Sequence, residues 1–128
     1  MIRSIGLAAF ILVFGTFAAS AGDMTPYSPA TFIKALADGK TIVVHVQADA
    51  CAACKKQQPI LKSLSEEKGL SKVEFVRVNF EKDEEFLVVH RVSSQSVILV
   101  FKDGKEVERL KDTTDAAEIT SKIKAAVG

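Results

Sequence analysis

Three runs of β-branched and other apolar residues constrain the fold of this chain more than any other feature of its sequence. They cover residues 41–47, 73–80 and 96–102. The first, TIVVHVQ, is almost continuously apolar, which is typical of a strand that is buried on both faces of a sheet. Because such a sheet cannot leave either face open to water, helices must cover it on both sides.

Helical patterns occupy the segments around these strands. The first predicted helix has Ser28 as its N-cap and Pro29 at its first position, and Gly39 closes it. Pro59 falls inside a second helix over residues 51–68 and should kink it. Two further helices are predicted, over residues 81–90 and from a cap at Thr114 or Asp115 to the end of the chain.

A hairpin ends the strand series. Asp103-Gly104 is a strong turn signal, and residues 105–111 alternate like a half-exposed strand. Alternating strands and helices favour parallel pairing, whereas the hairpin adds an antiparallel pair. We therefore predict an α/β fold in which a mixed central sheet carries helices on both faces.

The N-terminal segment has the layout of a secretory signal. Arg3 precedes an uncharged apolar run over residues 5–19, and Ala19-Ser20-Ala21 supplies small residues for cleavage before Gly22. The alternative is an uncleaved anchor, but a bilayer span needs roughly 20 apolar residues. The pattern predicts a signal peptide over residues 1–21 and a single domain over residues 22–128.

Composition narrows the function. The 128 residues carry 17 basic and 16 acidic side chains, a formal net charge of +1. This balance gives no electrostatic basis for nucleic-acid binding. Two cysteines are too few for a small disulfide-stapled scaffold, so the fold must depend on an ordinary hydrophobic core.

The two cysteines form the sequence Cys51-Ala52-Ala53-Cys54, where a buried strand gives way to a helix. A helix N-terminus offers unpaired N–H groups and partial positive charge, which favour a thiolate. We expect Cys51 to be the nucleophile at the exposed tip. Cys54 lies one turn further on, where it can attack a mixed disulfide at Cys51 and release the product.

Three other uses of the pair are open. A purely structural disulfide would close a very short loop and stabilise little. A zinc site needs four ligands, and beyond the cysteines only His45 and His90 are candidates. A carrier of a soft metal, of the copper type, would use the same two thiolates.

The chain resembles the thioredoxin family over residues 28–127. The resemblance is carried by four blocks: VHVQADACAACK over residues 44–55, PIL over 59–61, VRVN over 76–79 and FKDG over 101–104. It implies a thioredoxin fold, a nucleophile at Cys51 and a resolving Cys54. It also implies a redox-active disulfide between them and no separate cofactor.

Several positions differ from the usual residues of that family. Ala50 stands where tryptophan is common, His45 where a buried acid lies, and Ser96 where a cis-proline faces the cysteines. A cis bond without proline costs about 2.5–4 kcal/mol, so we expect a trans Gln95–Ser96 bond and more space beside Cys51. Ala50, Gln95 and Ser96 are predicted to line the substrate groove.

His45 has two possible roles. It is either a core histidine with a satisfied hydrogen bond or a proton relay for Cys54, since imidazole titrates near neutral pH. His90 is expected at the surface, at the end of a helix.

Together these features predict an exported thiol–disulfide oxidoreductase, periplasmic in a bacterium. Its partners would be protein thiols or disulfides and a redox-recycling protein. The differences from the usual family residues at Ala50, His45 and Ser96 favour a specialised relative over a general disulfide reductase. We expect a monomer without stable membrane insertion after signal cleavage, and neither nucleic acid nor a bound metal.

Overall fold

A computed structural model describes residues 24–128, so the predicted signal peptide lies outside the described residues. Within this range the chain forms one five-stranded sheet. Its strands are β1 (Thr25–Pro26), β2 (Ile42–Gln47), β3 (Glu74–Asn79), β4 (Val97–Lys102) and β5 (Lys105–Lys111).

The sheet is mixed, as the sequence predicted. The strand order is β1-β3-β2-β4-β5, with β2 at the centre. The β1–β3 and β2–β3 pairs are parallel, whereas the β2–β4 and β4–β5 pairs are antiparallel. Asp103 and Gly104 form the predicted hairpin turn, and both have positive φ angles of 52° and 78°.

Helices cover both faces of the sheet. The described helices are α1 (Pro29–Ala37), α2 (Ala52–Ser65), α3 (Glu84–Val89) and α4 (Ala116–Val127), and a 3₁₀ turn follows α2 at Lys68–Leu70. Buried residues of α1 and α3 pack in one cluster with alternate residues of β2, among them Val44 and Val46. Buried residues of α2 and α4 pack in a second cluster with Val43 on the opposite face.

Local signals explain where the helices begin and end. Gly39 ends α1 with a φ of 69°, a left-handed conformation that glycine adopts without a steric penalty. The N–H groups of Gly39 and Lys40 donate to the carbonyls of Leu36 and Ala35, which closes the last turn. Asp115 caps α4 by accepting from the N–H of Glu118 at 2.7 Å.

Two helix bounds differ from the prediction. Helix α2 ends at Ser65, so the predicted final turn to residue 68 is replaced by the separate 3₁₀ turn. Helix α3 begins at Glu84 instead of residue 81, because Asp83 accepts from the N–H of Asn79 at 2.7 Å and holds a turn there. Neither these nor the other described helices are long and apolar enough to cross a membrane.

Candidate active site

The two cysteines lie where the central strand β2 ends and α2 begins. Cys51 has an extended backbone and is the N-cap of α2, and it forms a disulfide with Cys54. The Cys51 Sγ accepts from the N–H of Cys54 at 3.1 Å, in the place of the side-chain oxygen of an ordinary N-cap. The sulfur therefore faces the positive end of the helix.

The two cysteines are more deeply buried than predicted. Cys51 and Cys54 are each only 3% exposed, so the prediction of an exposed tip at Cys51 is wrong. The residues beside Cys51, Ala50 and Ala52, are exposed. The buried Cys51 is thus flanked along the chain by two small side chains that reach the surface.

The sulfur of Cys54 lies in a different electrostatic setting. Its Sγ is 3.9 Å from the carbonyl oxygen of Val46, which also accepts from the N–H of Ser96 at 2.9 Å. A carbonyl oxygen repels a thiolate and can accept a weak S–H bond. In the reduced protein this contact favours a protonated Cys54, whereas the N–H of Cys54, which donates to the Cys51 Sγ, favours a thiolate at Cys51.

A buried polar pair joins β2 to α2, one helical turn beyond Cys54. The Nε2 of His45 is 3.0 Å from the Oε1 of Gln57, and both side chains are fully buried. Burial lowers the pKa of His45 below its usual 6.5, with the Gln57 hydrogen bond acting in the opposite direction. Its other nitrogen, Nδ1, has no hydrogen-bond partner among the described residues.

Ser96 has an unusual backbone. Its φ is 59°, a left-handed value that is uncommon for a residue other than glycine, and every peptide bond within residues 24–128 is trans. The Ser96 hydroxyl contacts the carboxylate of Asp112, and the Ser96 carbonyl accepts from the N–H of Asp112 at 3.0 Å. These bonds hold the start of β4 against the segment that follows β5.

The prediction of more space beside Cys51 is not matched by greater exposure of its sulfur. Ser96 is 2% exposed and Cys51 is 3% exposed, so the lack of a proline ring has not uncovered the sulfur. Gln95, next to Ser96 in the sequence, is half-buried, and Ala50 is exposed. The trans bond preceding Ser96 is confirmed.

Three residues of this network were not predicted from the sequence: Gln57, Asp112 and Thr113. Gln57 lies three residues after Cys54 and four before Leu61, which places all three on the buried face of α2. That spacing was the available signal. Asp112 and Thr113 lie in the connection after β5, where the sequence offers no comparable signal.

His90 ends α3 as its C-cap, as predicted, but the prediction of a surface position needs correction. His90 is half-buried, and its ring packs against those of Phe86, Phe32 and Phe101 at centroid distances of 4.4, 5.6 and 5.2 Å. Burial lowers its pKa, and Glu106 opposes this shift. It is therefore a packing residue on the α1 and α3 side. No group of three or more potential metal ligands occurs among residues 24–128.

A disulfide between the end of a central strand and the first turn of a helix, on a mixed sheet covered on both faces, defines a redox protein of the thioredoxin-fold class. The family model for thioredoxin matches residues 23–125. The chain is 33% identical over 98 residues to a thioredoxin of Chlamydia trachomatis, an alignment that covers 74% of this chain and 93% of that protein. This chain belongs to the thioredoxin family, and it is a thiol–disulfide oxidoreductase.

Solved structures agree with this assignment. The crystal structure of Trxlp from Edwardsiella tarda is similar, with a TM-score of 0.74, 32% identity, and coverage of 77% of this chain and 96% of that one. A thioredoxin of Malassezia sympodialis has a TM-score of 0.75 at 18% identity, covering 84% of this chain and 93% of its own. At 18% identity, the similarity to the Malassezia sympodialis structure shows the fold alone.

Proposed function

We propose that Cys51 is the nucleophile and Cys54 the resolving thiol of an exported oxidoreductase that exchanges disulfides with other proteins. The observation that carries this assignment is the contact between the Cys51 Sγ and the N–H of Cys54 at the start of α2. A thiolate there gains a hydrogen bond and the helix dipole, whereas Cys54 faces the carbonyl of Val46.

The exchange proceeds in two displacements. The thiolate of Cys51 attacks one sulfur of a substrate disulfide, and the other substrate sulfur leaves as a thiolate. Cys54 then loses its proton and attacks the Cys51 sulfur, which releases the second substrate thiolate and forms the Cys51–Cys54 disulfide. Two electrons pass from the protein to the substrate. The reverse sequence oxidises a dithiol, and the relative stability of the dithiol and disulfide forms decides the direction.

His45 is the proposed acceptor of the proton that leaves Cys54. It is buried next to Val46, whose carbonyl contacts Cys54 Sγ, and its lowered pKa keeps the ring unprotonated near pH 7, so a nitrogen lone pair is available to accept a proton. A neutral ring can take up the proton, whereas a cationic ring cannot. The sequence left two roles open for His45: its burial and its hydrogen bond to Gln57 fit a core histidine, and its Nδ1, which has no partner among the described residues, leaves one nitrogen available for the relay.

The setting of the reaction is inferred from the N-terminal sequence. Residues 1–21 combine a basic residue, an apolar run and an Ala-Ser-Ala end, which supports export and cleavage before Gly22. In a bacterium the destination would be the periplasm. The partners are then protein thiols or disulfides and a recycling protein that restores the starting redox state. The exposed Ala50 and half-buried Gln95 would contact the substrate chain.

Single-cysteine variants test the assignment. We expect Cys54→Ser to accumulate a stable mixed disulfide through Cys51, and Cys51→Ser to accumulate little. In the reduced variants, Cys51 should be alkylated faster than Cys54 at neutral pH, with its rate rising at a lower pH. Mass spectrometry identifies the trapped species. Faster alkylation of Cys54 would reverse the two roles.

A further inference from the structure

Gln57 is fully buried, and hydrogen bonds fix the orientation of its side-chain amide. The Nε2 donates to the carbonyl of Ser96 at 3.1 Å and to the carbonyl of Thr113 at 2.9 Å. A carbonyl oxygen can only accept, so the amide nitrogen must face these two groups. The amide oxygen is then directed to the His45 ring, 3.0 Å from its Nε2.

This orientation determines where the proton of His45 lies. Because the amide oxygen can only accept, the Nε2 of His45 must be the donor. In a neutral ring the other nitrogen, Nδ1, is then unprotonated, and no described group donates to it or accepts from it. A cationic ring would place an N–H at Nδ1 in a buried site without an acceptor, which is unfavourable.

His45 lies between β3 and β4 in the sheet and contacts Gln57 of α2. Arg77 of β3 is its register partner, and Asp112 after β5 is held by the Ser96 hydroxyl. Cys54 and Gln57 lie one turn apart on the buried face of α2, and Cys51 is the N-cap of that helix. Among residues 24–128 no charged side chain is hydrogen-bonded to the ring, so the Gln57 amide sets its tautomer.

We propose that Gln57 is a positioning residue that holds His45 as the Nε2–H tautomer and thereby keeps Nδ1 as a buried base for the redox pair. The same amide also donates to the carbonyls of Ser96 and Thr113. These bonds hold α2 in place against the start of β4 and the connection after β5. The proposal rests on the proposed roles of Cys51 and Cys54. Because Nδ1 is already unprotonated in this tautomer, His45 needs no exchange of its ring proton before it accepts the proton of Cys54.

Nitrogen-15 NMR of the histidine rings tests the tautomer in the unaltered protein. We expect the Nε2 of His45 to be protonated and Nδ1 to be unprotonated at pH 7, with His90 distinguished through a His90→Phe variant. A ring protonated at Nδ1, or at both nitrogens, would overturn the proposal. This measurement does not depend on which cysteine is the nucleophile, so it separates the two proposals.

The effect of Gln57 on the reaction of Cys54 is tested by reacting the reduced protein with an aromatic disulfide that releases thionitrobenzoate. The first thiolate released reports the attack by Cys51, and the second reports resolution by Cys54. We expect Gln57→Met to slow the second release about tenfold or more, since a positioned base contributes at least that much, with the first release unchanged. The slowing should be greatest near neutral pH and diminish in alkali, where Cys54 ionises without a base.

The matched control is Gln58→Met. Gln58 is the exposed neighbour of Gln57 on the same helix, so both releases should keep their parental rates. A second-release rate in Gln57→Met equal to that of the control would refute the positioning role. So would equal slowing of both releases at every pH, because that is the expected result of a general structural disturbance.

Discussion

The buried amide of Gln57 allows the energetic coupling between α2 and β2 to be measured. Gln57→Met keeps the length of the side chain and removes every hydrogen bond that it makes. The N–H of His45 then loses its acceptor, and the carbonyl of Thr113 loses a donor at 2.9 Å. The carbonyl of Ser96 is less affected, since it still accepts from the N–H of Asp112 at 3.0 Å.

The size of the effect follows from these contacts. A buried donor left unsatisfied costs about 1–3 kcal/mol, and each ordinary hydrogen bond contributes about 0.5–1.5 kcal/mol. With one orphaned N–H and one lost bond to a half-buried carbonyl, we expect Gln57→Met to lower the free energy of unfolding by about 2–4 kcal/mol. His45→Leu alone should also destabilise the protein, by about 1–3 kcal/mol, because it leaves the amide oxygen buried without a donor.

Urea unfolding of the oxidised protein at pH 7 provides the measurement, with both single variants and the double variant. The double variant should lose at least about 1 kcal/mol less than the sum of the single losses, since removing both partners leaves fewer polar groups unsatisfied. Gln58→Met should lie within about 0.5 kcal/mol of the parent. Additive losses, or a Gln57→Met loss no larger than that of Gln58→Met, would show that the pair is not coupled as described.

The remaining predictions concern pH, the backbone at Ser96 and processing. Because burial lowers the pKa of His45 below 6.5, the free energy of unfolding should decrease as the pH falls through and below that value. In urea unfolding across this range, His45→Leu should show a shallower decrease, by up to about 1.4 kcal/mol per pH unit. The pKa of His90 is also lowered, but His90 is present in both proteins and its effect cancels. Ser96→Pro should cost at least about 2 kcal/mol by the same assay, since proline can neither adopt a φ of 59° nor donate to Val46, whereas Ser96→Ala, which keeps the N–H, should cost less. N-terminal sequencing of protein from its host should begin at Gly22; a retained Arg3 in a membrane fraction would instead indicate an anchor.

Much of the fold could be read from the sequence because its signals are local. The predicted strand over residues 105–111 matches β5 (Lys105–Lys111), since alternation and a preceding Asp-Gly turn are properties of neighbouring residues. The start of α3 could not be predicted in this way. The side chain of Asp83 bonds back to Asn79, and the sequence does not reveal whether such a residue caps a helix or closes a turn.

The candidate active site, like the fold, could be predicted from the sequence only in part. The sequence identified Cys51, Cys54, His45 and Ser96, because each stands at a position defined by the strand–helix junction or by the resemblance to a family. Neither signal indicated how deeply Cys51 is buried. Fractional exposure depends on residues from several elements that close over the sulfur, and their arrangement is a property of the folded chain.

By itself, the sequence determined the order of strands and helices, the placement of the cysteine pair at a helix N-terminus and the class of chemistry that such a pair supports. Periodicity, capping and turn formation act between residues a few positions apart, and so they can be read along the chain. Only the tertiary structure decided that Gln57 would meet His45, 12 residues earlier, and Thr113, 56 residues later. A buried amide must satisfy its hydrogen bonds wherever partners lie in space, and packing brings those partners together.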